Sequence, residues 1–381
     1  MQPDRARSIL LLTVALCLAA SAGQSQTANG NGGGKPDSVP APPSAPPPAA
    51  PPVTITPGLR LQPRYTYDDL DGNNDFFIAR TRLKARGEAF GLATYYAEIK
   101  IDNMGRFARE VSAQVENAWL DFPVFRDVAL RVGLSDAVFS RNALTSDSKL
   151  LLMDRSLIKD ALTTLGLADK TIGVLVHGRP FHGHFEYATG VFDNLRFEQA
   201  SSPTAKQADG AMVMGRLVAH LLDPAPSRGY ADYQSSYIGH GRRLAIGVNA
   251  AYLSKAREGA QLFDIEGWGA DLFFNTGPFT LEAEYDRFEE AMLGGRPDVL
   301  GQGWYVQSGY LFYGRFELAT RYQLLDPNRA VGGDRSRWTS VGFNVYIRQH
   351  SLKVQTDYTF KREQGNAVHN DALQSQLQLD F

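Results

Sequence analysis

Four cations stand two residues apart in one short run: Arg80, Arg82, Lys84 and Arg86. In an extended chain alternate side chains share a face, so these four form a row about 6.6 Å apart, with Phe77, Ala79, Leu83 and Ala85 on the reverse. A row of guanidinium groups suits passing an oxyanion from site to site, because Arg grips carboxylate or phosphate oxygens through a planar fork. The same row could equally be a solvated wall, paired with acidic neighbours such as Glu98 and Asp102. A second set of cations follows: Arg131, and then Arg141, Lys149, Arg155 and Lys159 within the stretch 135–171. With Lys170, the cations of that stretch are balanced by Asp136, Asp147, Asp154, Asp160 and Asp169. Farther on, Glu282, Glu284 and Asp286 line up on one strand face and would favour cations instead.

Other chemistry is sparse. His182 and His184 share a face but need a third group to ligate a metal, and Pro180 and Gly183 place them at a tight turn. The oxygen-rich run 69–75 lacks both calcium-loop spacing and the downstream Glu. No nucleophile elbow, phosphate-binding glycine loop or zinc-protease motif occurs, so neither enzymatic activity, cofactor nor metal is expected.

The elements that must position these residues read as strands. In residues 128–134, Val128, Leu130, Val132 and Leu134 alternate with Ala129, Arg131 and Gly133. The alternation then stops for roughly 37 residues, an interruption long enough to be functional, and resumes with Ile172, Val174 and Val176. Within the gap, Ser146 to Ser148 can cap a helix in which Leu150, Met153, Leu157 and Ala161 follow helical spacing and which Gly166 stops. Arg155 and Lys159 would then share a face. From Val53 onward about 16 two-faced runs can be counted. Leu244, Ile246, Val248, Ala250 and Tyr252, for example, oppose Arg243, Ala245, Gly247, Asn249 and Ala251.

A soluble sandwich would pack such apolar faces together, whereas a membrane barrel turns them to lipid and the polar faces to a lumen. The connections favour the barrel. Tight links at 122–127, 275–278, 313–315 and 348–350 alternate with long polar ones such as 103–110, 193–209 and 289–301. Short turns on the periplasmic side and long loops outside are the bacterial pattern. The link 223–242 breaks it, being long on the short side. Leu373, Leu377, Leu379 and Phe381 share one face, giving an amphipathic last strand with a terminal aromatic. Trp119, Trp268, Trp304 and Trp338 suit interfacial girdles. The expected fold class is therefore all-β, a transmembrane antiparallel barrel built around the stretch 135–171.

Arg5 and Arg7 precede an apolar stretch at 9–20 and the small residues Ala20 and Ala22, the pattern of a secretory signal over residues 1–22. The only cysteine, Cys17, lies inside it. Residues 23–52 turn Gly/Asn-rich and then Pro/Ala-rich and should form a periplasmic spacer, leaving 53–381 for the barrel. A formal net charge of −2 gives no field that would attract nucleic acid.

The run 77–86, then 96–102, Arg131-Val-Gly, 139–146, Met153-Asp-Arg-Ser156 and Gly190-Val-Phe192 resemble the phosphate-selective porin O and P family in order and spacing. The resemblance spans roughly the whole barrel region. It implies a 16-stranded outer-membrane barrel, contact with membrane lipid and lipopolysaccharide, a homotrimer, and a third external loop, here 135–171, folded inward to constrict the pore. On that basis small anions, phosphate or polyphosphate among them, are the expected solutes. Arg80, Arg82, Lys84, Arg86, Arg131, Arg141, Lys149, Arg155 and Lys159 are the candidate pore residues. A non-selective porin, or a plugged barrel serving as a surface-binding or enzymatic protein, stands as the alternative.

Overall fold

The computed structural model describes residues 52–381 apart from 71, 107–111, 194–205, 209, 226–231, 259–260, 296 and 366–369. The expected signal segment and nearly all of the spacer lie outside these residues. The strands are β1 (Thr56–Asp68), β2 (Asn73–Ala89), β3 (Ala93–Met104), β4 (Gln114–Phe125), β5 (Val128–Asp136), β6 (Lys170–Gly178), β7 (Phe185–Asp193), β8 (Lys206–Ala208) and β9 (Met212–His220). They continue as β10 (Arg242–Glu258), β11 (Gln261–Thr276), β12 (Phe279–Leu293), β13 (Val299–Phe312), β14 (Phe316–Asp326), β15 (Ser336–Arg348), β16 (Leu352–Glu363) and β17 (Ala372–Asp380). Each pairs antiparallel with its neighbour, and β1 pairs with β17, so the sheet closes on itself. Strands β8 and β9 both pair with β10, at 256–258 and 245–253 respectively, and are two parts of one stave. The barrel therefore has sixteen staves.

Its polarity is inverted relative to a soluble protein. Outward faces expose Val132, Val174, Ile246, Val306, Leu318, Val341 and Leu377, while inward faces bury Gln62, Asn249, Asp271, Gln307, Asn344 and Gln376. Such alternation is stable only where the outside is apolar. Outward aromatics form two belts. One contains the pairs Trp268 with Tyr285 and Trp304 with Tyr322, each with centroids 5.5 Å apart. The other contains Phe274 with Phe279 and Phe316 with Phe343. Six residues of strand separate the belts, about 20 Å along the chain.

Two expectations about facing need correction. Trp119 and Trp338 point inward, because they are in phase with the buried Asp121 and with the buried Ser340 and Asn344. The Arg131 guanidinium lies 3.9 Å from the Trp119 ring and the Lys361 ammonium 5.1 Å from that of Trp338. Phe77 and Ala79 likewise leave the apolar face. Gln62 pairs with Arg80 but Pro63 with Ile78, so Ala79 is the extra residue of a β-bulge that reverses the alternation. Phe77 is 3% exposed and Ala79 6%, whereas Leu83, beyond the bulge, is 49% exposed.

Between β5 and β6 the chain runs through two short helices, α1 (Arg141–Leu144) and α2 (Leu157–Thr164), separated by a 3-10 turn at Asp147–Lys149. This segment crosses the interior. Asn344 of β15 donates to the Leu151 carbonyl at 2.9 Å, Gln378 of β17 to the Ser148 carbonyl at 3.0 Å, and Arg321 of β14 to the Asp154 carbonyl at 2.9 Å. In return the Met153 N–H donates to Asp357 at 2.9 Å and the Leu157 N–H to Gln323 at 3.0 Å. Val138, Phe139, Leu151, Ile158, Leu162 and Leu167 are at most 1% exposed, each worth about 1.5–3 kcal/mol on leaving water. The wall makes room with glycine: a Cβ at Gly342 would stand 2.5 Å from Leu152 and one at Gly303 2.9 Å from Ile158.

The expected helix is shorter than its sequence pattern. Residues 150–156 are held out of the helix, with a run of bends at 151–154, by wall side chains whose hydrogen bonds replace the helix's own. The helix starts only after Ser156, whose hydroxyl accepts from the Lys159 N–H at 3.4 Å. Arg155 thus precedes the helix. Its end is as expected, with Gly166 at φ +78° immediately past the last turn.

The anomalous link 223–242 has its explanation here. Its residues 232–241 fold into the barrel from the opposite end and meet the inner segment. Tyr233 bridges Thr145, the Ser235 N–H donates to the Lys149 carbonyl at 3.1 Å, and Asp232 pairs with Lys149. Ser236 donates to Glu317 at 2.8 Å, and Ile238 packs with Leu311 and Tyr346. The link is long because it fills part of the barrel floor.

Candidate functional site: a cavity beside a basic wall

The inner segment and the link pack against β6, β7 and β9 through β17 and leave the side of β1 to β4 open. An elongated cavity of about 1420 Å³ runs there, from Asp102 and Asp136 at one end of the barrel to Glu88, Thr94 and Phe381 at the other. Its wall is the inward face of β1 to β4 and its far side is the inner segment. Thirteen Lys and Arg and eleven Asp and Glu residues line it, an excess of two cations.

The basic row of β2 faces this cavity, and most of it is paired. Arg80 Nε lies 3.3 Å from Asp147 Oδ2, and Arg82 meets both Asp102 and Glu98, the latter at 3.6 Å. Lys84 pairs with Asp380, while Arg86 at the end of the row is exposed. Arg131 binds Asp121 at 2.7 Å from β5. On the inner segment, Lys149 pairs with Asp232, Arg155 with Asp147 at 2.8 Å, and Lys159 stands 3.9 Å from Asp160. Of the nine candidate pore residues, all line the cavity except Arg141. That residue is 1% exposed, stacked 4.1 Å from the Phe273 ring and 3.8 Å from Glu282. It holds α1 to the wall and touches no open space along the basic wall.

The acidic row of β12 is also removed from the cavity. Glu282, Glu284 and Asp286 are at most 3% exposed. Tyr305 donates to Glu282 at 2.6 Å and the Asn142 N–H to Glu284 at 2.9 Å. These carboxylates anchor the inner segment and do not face the water-accessible side.

Four further residues matter that the pattern of the basic row did not single out. Arg60 and Arg64 lie on the inward face of β1 in phase with Gln62, a readable alternation. Arg60 donates to Ser146 and Ser148 at 2.8 and 3.1 Å, and Arg64 to Asp154 at 2.8 Å. Asp147 and Asp154 complete the arrangement. Burial alone would raise both carboxyls, but Arg80 and then Arg155 hold Asp147 well below the ordinary carboxylate value, and Arg64 with Gln374 lowers Asp154. Burial lowers the Lys159 ammonium and raises the Asp160 carboxyl.

The family model of the phosphate-selective porin O and P matches residues 60–381, and the chain belongs to that family. An uncharacterized protein of Aquifex aeolicus (strain VF5) is 27% identical over 369 residues, covering 83% of this chain and 86% of that one. Among solved structures, an anion-selective porin from Comamonas acidovorans has a TM-score of 0.61 at 12% identity, covering 86% of this chain and 100% of that one. OmpF from Salmonella typhi has a TM-score of 0.60 at 13% identity, covering 86% and 97%. At these identities the structures establish a shared fold. Family and fold together make this chain an outer-membrane β-barrel of the porin type.

Proposed function

We propose that this porin is a diffusion channel for small anionic solutes, with an off-centre water path along β1 to β4 that the segment 135–171 narrows. Phosphate and polyphosphate belong to the class it would pass. One observation carries the reading: the cavity is lined by more cations than anions, while the acidic row that would oppose it is buried against the inner segment. The exposed Arg86 and the partly exposed Arg80 and Lys84 give an anion successive contacts along the wall. Their acidic partners keep each contact weak, as conduction requires. On this reading the chain is exported, loses residues 1–22, meets lipid and lipopolysaccharide through its apolar belts, and assembles as a homotrimer.

Planar-bilayer recording tests it. The refolded, heat-modifiable protein is expected to give a stable ohmic conductance with a reversal potential on the anion side in a KCl gradient. Absence of conductance from folded protein, or cation preference, would overturn the proposal.

A further inference from the structure

The outer surface of the barrel holds two cations where lipid should begin to give way to its headgroups. Trp304 of β13, Leu324 of β14, Arg337 of β15 and Arg362 of β16 are successive register partners. The row thus starts in the aromatic belt nearer the long loops and ends in two arginines directly opposite each other. Both are exposed. They are in phase with the outward Val341 and Phe360, two positions apart at each step. Like charges directly opposite on neighbouring strands repel, and one carboxylate serves the pair. Arg362 donates through Nη1 to Asp371 at 2.8 Å and to the Lys361 carbonyl at 2.6 Å. Asp371 is only 8% exposed at its side chain, whereas that of Arg362 is 56% exposed, so the guanidinium is anchored from below and open above. Arg337 has no ion-pair partner among the described residues. Elsewhere at this end the outward charges differ: Arg287 of β12 lies 3.8 Å from Glu289, and Glu289 stands opposite Glu266 of β11.

We propose that Arg337 and Arg362 form an outward-facing site for the phosphate of a phosphorylated glycolipid of the outer leaflet, the lipid A part of lipopolysaccharide. This rests on the reading that the long-loop end faces the cell exterior and meets that lipid; it does not depend on which solute the pore passes. A phosphate set between the two guanidinium groups removes their repulsion and accepts from their planar forks. Its acyl chains then run down the exposed apolar face below, over Val341, Phe343 and Phe360. The acidic pair on β11 and β12 would repel the same headgroup, so the site belongs to one sector of the barrel and is not a general property of its rim.

The experiment titrates the detergent-solubilised, heat-modifiable barrel with bisphosphorylated lipid A and counts bound lipid by native mass spectrometry. EDTA is present throughout, so that divalent cations cannot bridge lipid to the acidic pair. The unmodified barrel is expected to hold lipid A, and Arg337→Gln with Arg362→Gln to weaken it about tenfold, the loss of charged hydrogen bonds. Arg287→Gln, which removes an outward cation already paired, should change affinity by less than about twofold. Failure of the unmodified barrel to bind, or equal affinity in the double variant, would overturn the assignment. Displacement of the lipid by millimolar inorganic phosphate would also overturn it, because the pair would then be a site for the free ion. If the double variant does not refold, Arg337→Gln alone breaks no ion pair among the described residues and should lower affinity severalfold; an unchanged affinity refutes the site. Conductance and reversal potential of the double variant should match those of the unmodified channel, and a shift in either would place the arginines on the water path instead. Lipid binding is read without any current, so a barrel that binds lipid A but does not conduct anions counts against the proposed function and leaves this site standing.

Discussion

The two sides of the barrel are built from the same alternating strands and end in opposite states. On β1 to β4 the inward positions Arg60, Arg80, Arg82, Lys84, Glu98, Lys100, Asp102 and Trp119 border open space. On β11 to β13 the inward positions mix Phe263, Ile265, Phe273, Phe288 and Tyr305 with glycine and acidic residues, and they border the inner segment. A polar residue facing inward therefore has two destinies. Next to other charges it faces water; next to glycine and aromatic residues it becomes a hydrogen-bond anchor for a chain that fills the lumen. The loop settles on one side because only that side offers apolar surface to cover Val138, Phe139, Ile158 and Leu162.

The strongest way to break this contrast is to remove the filling. Deleting residues 149–166 should produce the largest change, a severalfold rise in single-channel conductance with insertion retained, because lipid-facing residues are untouched. Unchanged conductance from a folded deletion would place the segment outside the current path.

A second comparison sets the basic wall against the buried acidic row. Arg82→Glu with Arg86→Glu should move the reversal potential strongly toward cations, since Arg82 is the partner of both Glu98 and Asp102. Glu284→Ala should leave selectivity unchanged and instead cost about 1–3 kcal/mol of stability, by stranding the buried Asn142 N–H. Thermal shift of gel mobility reads stability and reversal potential reads selectivity. If Glu284→Ala altered selectivity as much as the double variant, the acidic row would border the water path after all.

Most of this contrast was legible in the sequence, though not all for the same reason. Alternation gives each strand's two faces because the side-chain period is two, and it placed Leu83, Leu377 and Arg82 correctly. It mis-assigned Phe77 and Ala79 because a single extra residue in a bulge flips everything on one side of it, and nothing in the composition of 73–89 marks the bulge. The acidic row illustrates a deeper limit. Periodicity tells that Glu282, Glu284 and Asp286 face inward, but what they meet there depends on a segment about 140 residues away. The cue lay in the neighbouring staves, where Gly267, Gly303 and Gly342 stand at inward positions and leave room for a chain to approach. The link 232–241 carried no periodic signal, since it is irregular and held by packing.

Acid should loosen the filled side more gradually. Arg80, Arg155 and Arg64 depress Asp147 and Asp154 below their unfolded value of 3.8. A depressed carboxyl contributes stability that is present above the unfolded value and lost as pH falls through the folded one. The loss therefore lies below about pH 4. Asp160, raised by burial, works the other way and partly offsets it. Open-channel noise and mean conductance are expected to be flat from neutral pH to about pH 5 and to rise below about pH 4. A transition centred near neutrality would point to a different group.

The smallest effect should come from the ion pair that joins the inner segment to the link. Asp232 and Lys149 pair with 41% and 24% of their side chains exposed. An ion pair that open to solvent is worth at most about 1 kcal/mol, so Asp232→Asn should scarcely change conductance noise or gel mobility. Tyr233 next to it is 3% exposed, stacked 4.7 Å from the Arg141 guanidinium and hydrogen-bonded to Glu186. Truncating a buried aromatic of this kind costs about 3–5 kcal/mol, and Tyr233→Ala should raise noise and lower the temperature of the mobility shift. The two substitutions are adjacent, so they separate the forces that join the two inward-folded segments. If Asp232→Asn loosened the channel as much as Tyr233→Ala, charge rather than packing would hold the link in place, and lowered salt would then quieten the unmodified channel.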